Sequence, residues 1–220
     1  VSSTVYTATF TPTADSTTDG VISVASSKFS DAAGNTNNDG ADANNSLTFT
    51  VDTIRPTIAI TDEDADDALR IGETAALTFT LSEASTNFIE SDVTVSGGSL
   101  SNWTAVSSTV YTATFTPTAD STINGVTSVA GSKFSNSSGN TNDDGADANN
   151  SVTFIVDTVR PTIAVNSDVS SLKAGETSAL TFTLSEASTD FVESDVTASG
   201  GSLSNWIAVS STVYTATFTP

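Results

Sequence analysis

The chain repeats itself with a period of just over one hundred residues. The segment VSSTVYTATFTPTAD at 1–15 recurs unchanged at 106–120, and its first twelve residues recur at 209–220. The spacing is 105 residues from Val1 to Val106 and 103 residues from Val106 to Val209. A period of this length is too long for a solenoid unit and matches an independent β-sandwich domain. The sequence therefore predicts tandem domains.

Apolar residues alternate with threonine inside each period, for example at 77–81, 111–115 and 152–156. An alternation of period two predicts strands that bury one face. Short strands separated by Gly, Asn, Asp and Ser turns are typical of an all-β, antiparallel immunoglobulin-like sandwich. Trp103 and Trp206, each in GSLSNW, are predicted to be core or sheet-edge residues. Within one repeat the strands are predicted at 56–60, 75–82, 92–96, 103–117 (a pair), 125–130 and 151–156.

Proline marks the boundaries between repeats. Pro56 and Pro161 follow DTIR and DTVR and begin a predicted strand, where a missing amide hydrogen does least harm. Neither partial repeat is expected to fold alone, because each lacks the strands that would cover its apolar face. The match of the last twelve residues to the first twelve suggests a segment cut from a continuous array. The predicted domains are the C-terminal half of one repeat (1–52), a complete repeat (53–157) and the N-terminal half of a third (158–220).

The composition restricts the partners and the chemistry. The chain has 26 acidic and 6 basic side chains, which gives a net charge of −20. This charge repels phosphate groups and anionic membranes, so nucleic acid and direct membrane insertion are not expected. The chain has no His and no Cys, which removes the commonest general base and the strongest nucleophile, so an enzyme is not expected. Cations are the favoured partners.

Acidic and amide side chains gather in the predicted loops at the two ends of each sandwich. Where domains join head to tail, carboxylates of one repeat face those of the next, and this crowding is unfavourable without a cation. Ca²⁺ takes roughly six to eight oxygen ligands, whereas zinc and copper favour His and Cys. We therefore predict Ca²⁺ sites in these loops and at the junctions. The candidate ligands are Asp31, Asn35, Asp62, Asp64, Asp66, Glu83, Asp92, Asn140, Asp157, Glu186, Asp190 and Asp195.

Other interpretations of the same residues stay open. Asp, Asn and Gly are ordinary turn formers of β-proteins, so a solvated turn is the alternative to a metal site at each position. Two other functions also fit a repeated β-sandwich. One is a carbohydrate-binding module, which would display a platform of aromatic side chains, and the other is a subunit of a self-assembling extracellular filament or surface layer.

Four segments carry a resemblance to a known family: DTIRPTIAI (52–60), GETAALTFTLSEAST (72–86), DVTVSGG (92–98) and FSDAAGN (29–35). With them the whole chain resembles the tandem bacterial immunoglobulin-like repeats of giant calcium-dependent adhesins of the RTX type, which are exported by type I secretion. The resemblance implies extracellular, cell-surface spacers that hold a distal binding domain away from the cell, with Ca²⁺ at the domain junctions.

The resemblance also implies partners, and one segment of the chain departs from the family pattern. The implied partners are neighbouring repeats of the same chain, with identical chains in a fibre as the alternative, while the adhesive target stays unknown. FSNSSGN at 134–140 departs from the pattern of FSDAAGN, because Asn136 offers a neutral oxygen where Asp31 offers a charged one.

Overall fold

The computed structural model of the protein describes residues 4–39, 43–63, 67–144 and 147–220. It divides into two compact units, residues 1–158 and 159–220. No helix among the described residues has the length and hydropathy needed to cross a membrane. Single turns of 3-10 helix lie at Glu90–Asp92, Ala148–Asn150 and Glu193–Asp195. The strands are β1 (Gly20–Ser23), β2 (Ser46–Phe49), β3 (Ile58–Asp62), β4 (Ala68–Arg70), β5 (Ala75–Leu81), β6 (Val93–Ser96), β7 (Gly98–Ala105), β8 (Val110–Pro117), β9 (Gly125–Val129), β10 (Ser151–Asp157), β11 (Ile163–Ser167), β12 (Ser178–Leu184), β13 (Ser202–Ala208) and β14 (Val213–Thr219).

The complete repeat folds into two four-stranded sheets, with strand orders β3-β5-β8-β7 and β4-β10-β9-β6. Neighbouring strands are antiparallel, except that β4 runs parallel to β10. The antiparallel strands correspond to the alternating segments of the sequence, and the short loops correspond to the turn residues between them. The predicted all-β, immunoglobulin-like sandwich is therefore confirmed.

The core lies between the sheets and is built from the alternating apolar positions. In β5 the side chains of Ala75, Leu77, Phe79 and Leu81 are buried, while the residues between them are exposed or half-buried. Burial of one such large apolar side chain stabilises the fold by about 1.5–3 kcal/mol. This burial on one face only explains why the strands read as apolar residues separated by threonine.

Aromatic rings fill one end of this core. The ring centroid of Phe88 lies 5.4 Å from that of Trp103, 5.0 Å from that of Tyr111 and 5.1 Å from that of Phe134. Trp103 is half-buried against these rings. Trp206 has the same surroundings in the second unit, 5.2 Å from Phe182, so the predicted core or edge position of both tryptophans is confirmed.

The structure shifts some predicted strand limits. β3 begins two residues late, because Pro56 has no amide hydrogen and its carbonyl accepts a bond from the N–H of Asp143 in another loop. β4 was not predicted, since three residues are too few to show an alternation. β7 and β8 form the predicted middle pair, with a register shift between Ser101 and Thr104 where Asn102 has a φ of 54°.

The two partial repeats contain fewer strands. In the first, β1 pairs with β2, and residues 6–12 form no strand although their sequence equals that of 111–117. In the second unit β11, β12, β14 and β13 form one sheet in that order, with Phe182, Tyr214 and Ala216 buried. Pairing with neighbouring strands, rather than sequence alone, decides which copy of the segment becomes a strand.

Candidate functional site

The junction before the complete repeat is the segment Asp52–Arg55, and its threonine binds backwards to the preceding partial repeat. The Thr53 hydroxyl donates to the carbonyl of Thr13 at 2.7 Å and accepts from the N–H of Ser16 at 3.0 Å. The Thr53 N–H donates to the carbonyl of Ser16 at 3.0 Å. These bonds fix the start of the junction to a loop of the repeat that it leaves.

The same contact occurs one period later. The Thr158 hydroxyl donates to the carbonyl of Thr118 at 2.7 Å and accepts from the N–H of Ser121 at 2.9 Å. Thr158 is 2 % exposed. The threonine of DTIR and DTVR is therefore a recurring structural anchor.

Arg55 binds forwards, to the loop between β9 and β10 of the complete repeat. Its Nε donates to the carbonyl of Thr141 at 2.9 Å and its Nη2 to the Thr141 hydroxyl at 3.0 Å. Its Nη1 lies 2.8 Å from Asp143 Oδ2, in an ion pair whose side chains are about half exposed. Four residues of chain are thus attached to both the preceding and the following repeat.

Asn136 lies at the centre of this junction and is 8 % exposed. Its Nδ2 lies 2.6 Å from Glu83 Oε2, 3.2 Å from Asp52 Oδ2 and 3.4 Å from the carbonyl oxygen of Ile54. The Nδ2 of Asn140 donates to the carbonyl of Asp52 at 3.0 Å. Two amide side chains of the loop therefore bind the oxygens of the junction and of the loop after β5.

The turn that carries Asn136 decides which end of its amide faces the carboxylates. Its Oδ1 accepts from the N–H of Ser138 at 3.1 Å and from that of Asn140 at 2.9 Å. Gly139 closes the turn with a φ of 87°, a conformation that glycine adopts without steric cost. Because Oδ1 is bound inside the turn, the Nδ2 of Asn136 points at Glu83.

Asp31 occupies the same turn in the preceding partial repeat. Its Oδ1 accepts from the N–H of Ala33 at 3.0 Å and from that of Asn35 at 2.9 Å, and its Oδ2 accepts from Asn35 Nδ2 at 2.9 Å. These bonds, that of the Asn35 side chain foremost, lower the pKa of the exposed Asp31 carboxyl below its ordinary value. Asp31 and Asn136 thus use Oδ1 identically, whereas the second atom of Asp31 binds Asn35 within the turn and that of Asn136 binds Glu83 and Asp52.

Three predicted ligands come together in the second unit. Glu186, Asp190 and Asp195 line one surface cleft of ≈530 Å³. Asp190 Oδ1 accepts from the Ser188 hydroxyl at 2.8 Å, and Asp195 Oδ2 accepts from the N–H of Val192 at 2.9 Å. In the complete repeat the equivalent positions are Glu83, Asn87 and Asp92.

The other predicted ligands are spread over the complete repeat. Asp62 ends β3 and Asp157 ends β10, where it lies in register with Arg70. Asp92 Oδ2 accepts from the N–H of Ile89 at 3.0 Å. Asp64 and Asp66 lie outside the described residues. Within the part of the chain that the structure describes, no group of three or more acidic side chains is arranged to hold a metal ion.

The candidate ligands left out Asp52, Asn136 and Asp144. Asp52 could have been found from the period, since it stands 105 residues before Asp157, which was included. Asn136 was left out because a neutral amide is expected to bind a cation more weakly than the carboxylate of Asp31 at the equivalent position. Asp144 is 9 % exposed, and its Oδ1 accepts from the N–H of Ile58 at 2.6 Å, a contact that no sequence pattern indicates.

One protein-family model matches the chain in three successive segments. The family model described as a bacterial Ig-like domain matches residues 1–51, 52–154 and 157–220. Comparison with curated proteins and with solved structures found no significant match.

Proposed function

The chain belongs to the bacterial Ig-like domain family, and we propose that its repeats are extender segments of a secreted bacterial surface adhesin. Domains of this family serve in general as surface or extender modules, typically without enzymatic activity, and are commonly extracellular or surface-associated. The finer proposal has two parts: the junctions resist bending, and Ca²⁺ contributes to this resistance where the repeats carry enough carboxylates.

The junction bonds support the first part. A flexible linker would leave its backbone and side chains in solvent, as Gly- and Ser-rich linkers do. Here Thr53 binds the preceding partial repeat while Arg55 binds the complete repeat. Rotation about this segment would break hydrogen bonds on one side or the other. We take this double attachment as the single observation that favours an extender over domains on a loose tether.

The second part concerns the difference between repeats. We call a repeat Asp-type when it carries aspartate at the positions of Asn87 and Asn136, and Asn-type when it carries asparagine there. The complete repeat is Asn-type, and its Asn136 amide fills the point where the junction oxygens converge, which does not fit a cation. Asp190 and Asp31 stand at these two positions in the neighbouring partial repeats.

The polar side chains that line the cleft, those of Glu186, Ser188, Thr189, Asp190 and Asp195, all carry oxygen donors, beside four apolar residues. Oxygen donors of this kind are the ligands that Ca²⁺ takes. In a complete Asp-type repeat, Asp31 and Asn35 would supply further oxygens from the loop between the last two strands. Bound Ca²⁺ would neutralise these carboxylates and cross-link the loops that bear them. At the high free Ca²⁺ outside cells, even weak sites of roughly 10⁻⁴ to 10⁻³ M become occupied.

The carbohydrate-binding alternative receives no support from the tryptophans. Trp103 packs at 5.2 Å from Phe79 and Trp206 packs in the same way against Phe182. Their rings are engaged in the core rather than displayed as an open platform. Lateral assembly into a filament stays the competing proposal.

The overlap of sequence between the two ends allows a direct test. Joining residue 208 to residue 1, as 53–208 followed by 1–52, yields two complete repeats whose single junction at 157–160 leads into an Asp-type repeat. The matched control is a tandem duplicate of 53–157, whose junction leads into an Asn-type repeat. Both would be measured by small-angle X-ray scattering in millimolar Ca²⁺ and in chelator.

We expect the rearranged chain to show a longer, better-defined maximum dimension in Ca²⁺ than in chelator. Equal profiles in the two buffers would refute the Ca²⁺ part of the proposal. A broad distribution of dimensions in both buffers and for both chains would refute the extender itself. Association at micromolar concentration would favour the filament.

A further inference from the structure

We propose that Asn136 is a built-in substitute for a cation, so that the junction Asp52–Arg55 is locked by hydrogen bonds and does not depend on metal. The inference rests on the proposed function, because it assigns one of the two kinds of junction within the extender. It implies that junctions with and without a need for a cation occur in the same array.

The position of the Asn136 amide carries the argument. Its Nδ2 is within 3.4 Å of three oxygens, two of them from the carboxylates of Asp52 and Glu83. Hydrogen bonds to ionised acceptors are shorter and stronger than those between neutral groups, and the 2.6 Å contact with Glu83 is of this kind. The amide supplies positively polarised hydrogens to the point where a cation would otherwise neutralise the two acids.

An aspartate at this position would reverse the sign of the interaction. Asp31 makes the same two backbone bonds through its Oδ1 as Asn136 does, so the turn accepts either side chain. With the turn unchanged, a second carboxylate oxygen would replace Nδ2, at 2.6 Å from Glu83 Oε2 and 3.2 Å from Asp52 Oδ2. Three carboxylates at such distances repel one another unless a cation is present.

A second asparagine side chain of the same repeat supports the inference. Asn87 stands where the following repeat has Asp190. Its Nδ2 donates to the Ser135 hydroxyl at 3.2 Å, and its Oδ1 accepts from the Ser135 N–H at 3.0 Å. An aspartate could only accept, so the asparagine ties the loop after β5 to the loop of Asn136 without added charge. Both positions at this end of the complete repeat therefore carry amides that bond across the loops.

The test uses the whole 220-residue chain and hydrogen exchange of the Asp143 N–H, which donates to the carbonyl of Pro56 and so reports attachment of the junction. Exchange would be followed by NMR in chelator and in millimolar Ca²⁺. The key variant is Asn136→Asp. Ser137→Asp is the control, since it adds the same charge at an exposed neighbour in the same loop. The double variant Glu83→Gln with Asn136→Asp swaps amide and carboxylate and restores the original local charge.

We expect the wild-type chain and Ser137→Asp to show equal protection in both buffers. Asn136→Asp should lose about tenfold or more of this protection in chelator, as expected for loss of a charge-assisted hydrogen bond, and should regain it in Ca²⁺. The double variant should be protected in both buffers.

Three results would overturn the inference: loss of wild-type protection in chelator, unchanged protection of Asn136→Asp in chelator, or no recovery in the double variant. A misfolded Asn136→Asp chain would be revealed by loss of protection throughout β5 and β8 in both buffers. In that case the wild-type chain and the double variant would by themselves show whether the inference holds. Scattering from the Asp-type junction is a separate measurement, so failure of the Ca²⁺ proposal and failure of this lock are distinguishable.

Discussion

Replacing Thr158 by valine tests whether the recurring threonine anchors the junction. Valine keeps the branched shape but removes the hydroxyl, which leaves the N–H of Ser121 without its acceptor and the carbonyl of Thr118 without its closest donor. An unsatisfied buried donor costs about 1–3 kcal/mol, and the lost donation adds about 1 kcal/mol. Because Thr158 is 2 % exposed, water cannot easily compensate. We expect the free energy of unfolding of residues 1–158 to fall by about 2–4 kcal/mol.

Urea unfolding followed by Trp103 fluorescence measures this loss, in a Trp206→Phe background so that only the first unit reports. With a slope of about 2 kcal/mol/M, the middle of the range for small proteins, the midpoint should shift down by roughly 1–2 M at unchanged slope. Thr158→Ser keeps the hydroxyl and should cost less than about 1 kcal/mol, the value of one buried methyl group. The equivalent Thr53 is only half-buried, so Thr53→Val should cost less than Thr158→Val.

The reasoning would be refuted if Thr158→Val were as stable as wild type, because the hydroxyl would then have no structural role. It would equally fail if Thr158→Ser lost as much stability as Thr158→Val. In that case the methyl group, and hence simple packing, would carry the effect. A change of slope as well as midpoint would indicate that the unfolded ensemble had changed.

Two further predictions concern the core and the acidic turn. A Cβ on Gly125 would lie 2.4 Å from the ring of Phe115, whereas one on Gly131 would have its nearest neighbour at 3.6 Å; thermal unfolding should show Gly125→Ala destabilised by about 1–3 kcal/mol and Gly131→Ala close to wild type. The pKa of Asp31 is lowered in the folded chain, so its contribution to stability is complete above the unfolded pKa and is lost as the pH falls through the folded one. A carboxyl ¹³C titration should place this pKa below 3.8, and Asn35→Ala should raise it; an unchanged pKa in that variant would contradict the assigned cause.

Strand existence could be predicted well from the sequence, because burial of one sheet face imposes an alternation that survives in every copy. Context could not. Tyr111 is 4 % exposed and Tyr214 is 5 % exposed, whereas Tyr6, in an identical segment, is 81 % exposed. The difference comes from the neighbours: β8 lies between β5 and β7, and β14 between β12 and β13. The local sequence therefore determines which segment is able to form a strand. The neighbouring strands determine whether that strand forms.

The candidate site was predictable as a region but not as a set of contacts. The topology of a sandwich predicts acidic loops at its ends, and Glu186, Asp190 and Asp195 line one cleft. The role of Asn136 depends on which end of an amide is bound inside a turn, and composition cannot reveal that. Residue type alone favours carboxylates as functional groups, so it passes over the asparagine that binds two of them.

The parallel pairing of β4 with β10 has a mechanical consequence for the proposed extender, whose two ends would be pulled apart. The partners are Ala68 with Ile155, Leu69 with Val156 and Arg70 with Asp157. β10 carries the chain out of the complete repeat, and β4 is connected through β3 to the point where it enters. A pull on the two ends therefore draws these parallel strands in opposite directions along their length. Their hydrogen bonds must break together rather than one after another, so single-molecule pulling should show a sharp rupture force that falls when Leu69→Pro removes one donor from the pair.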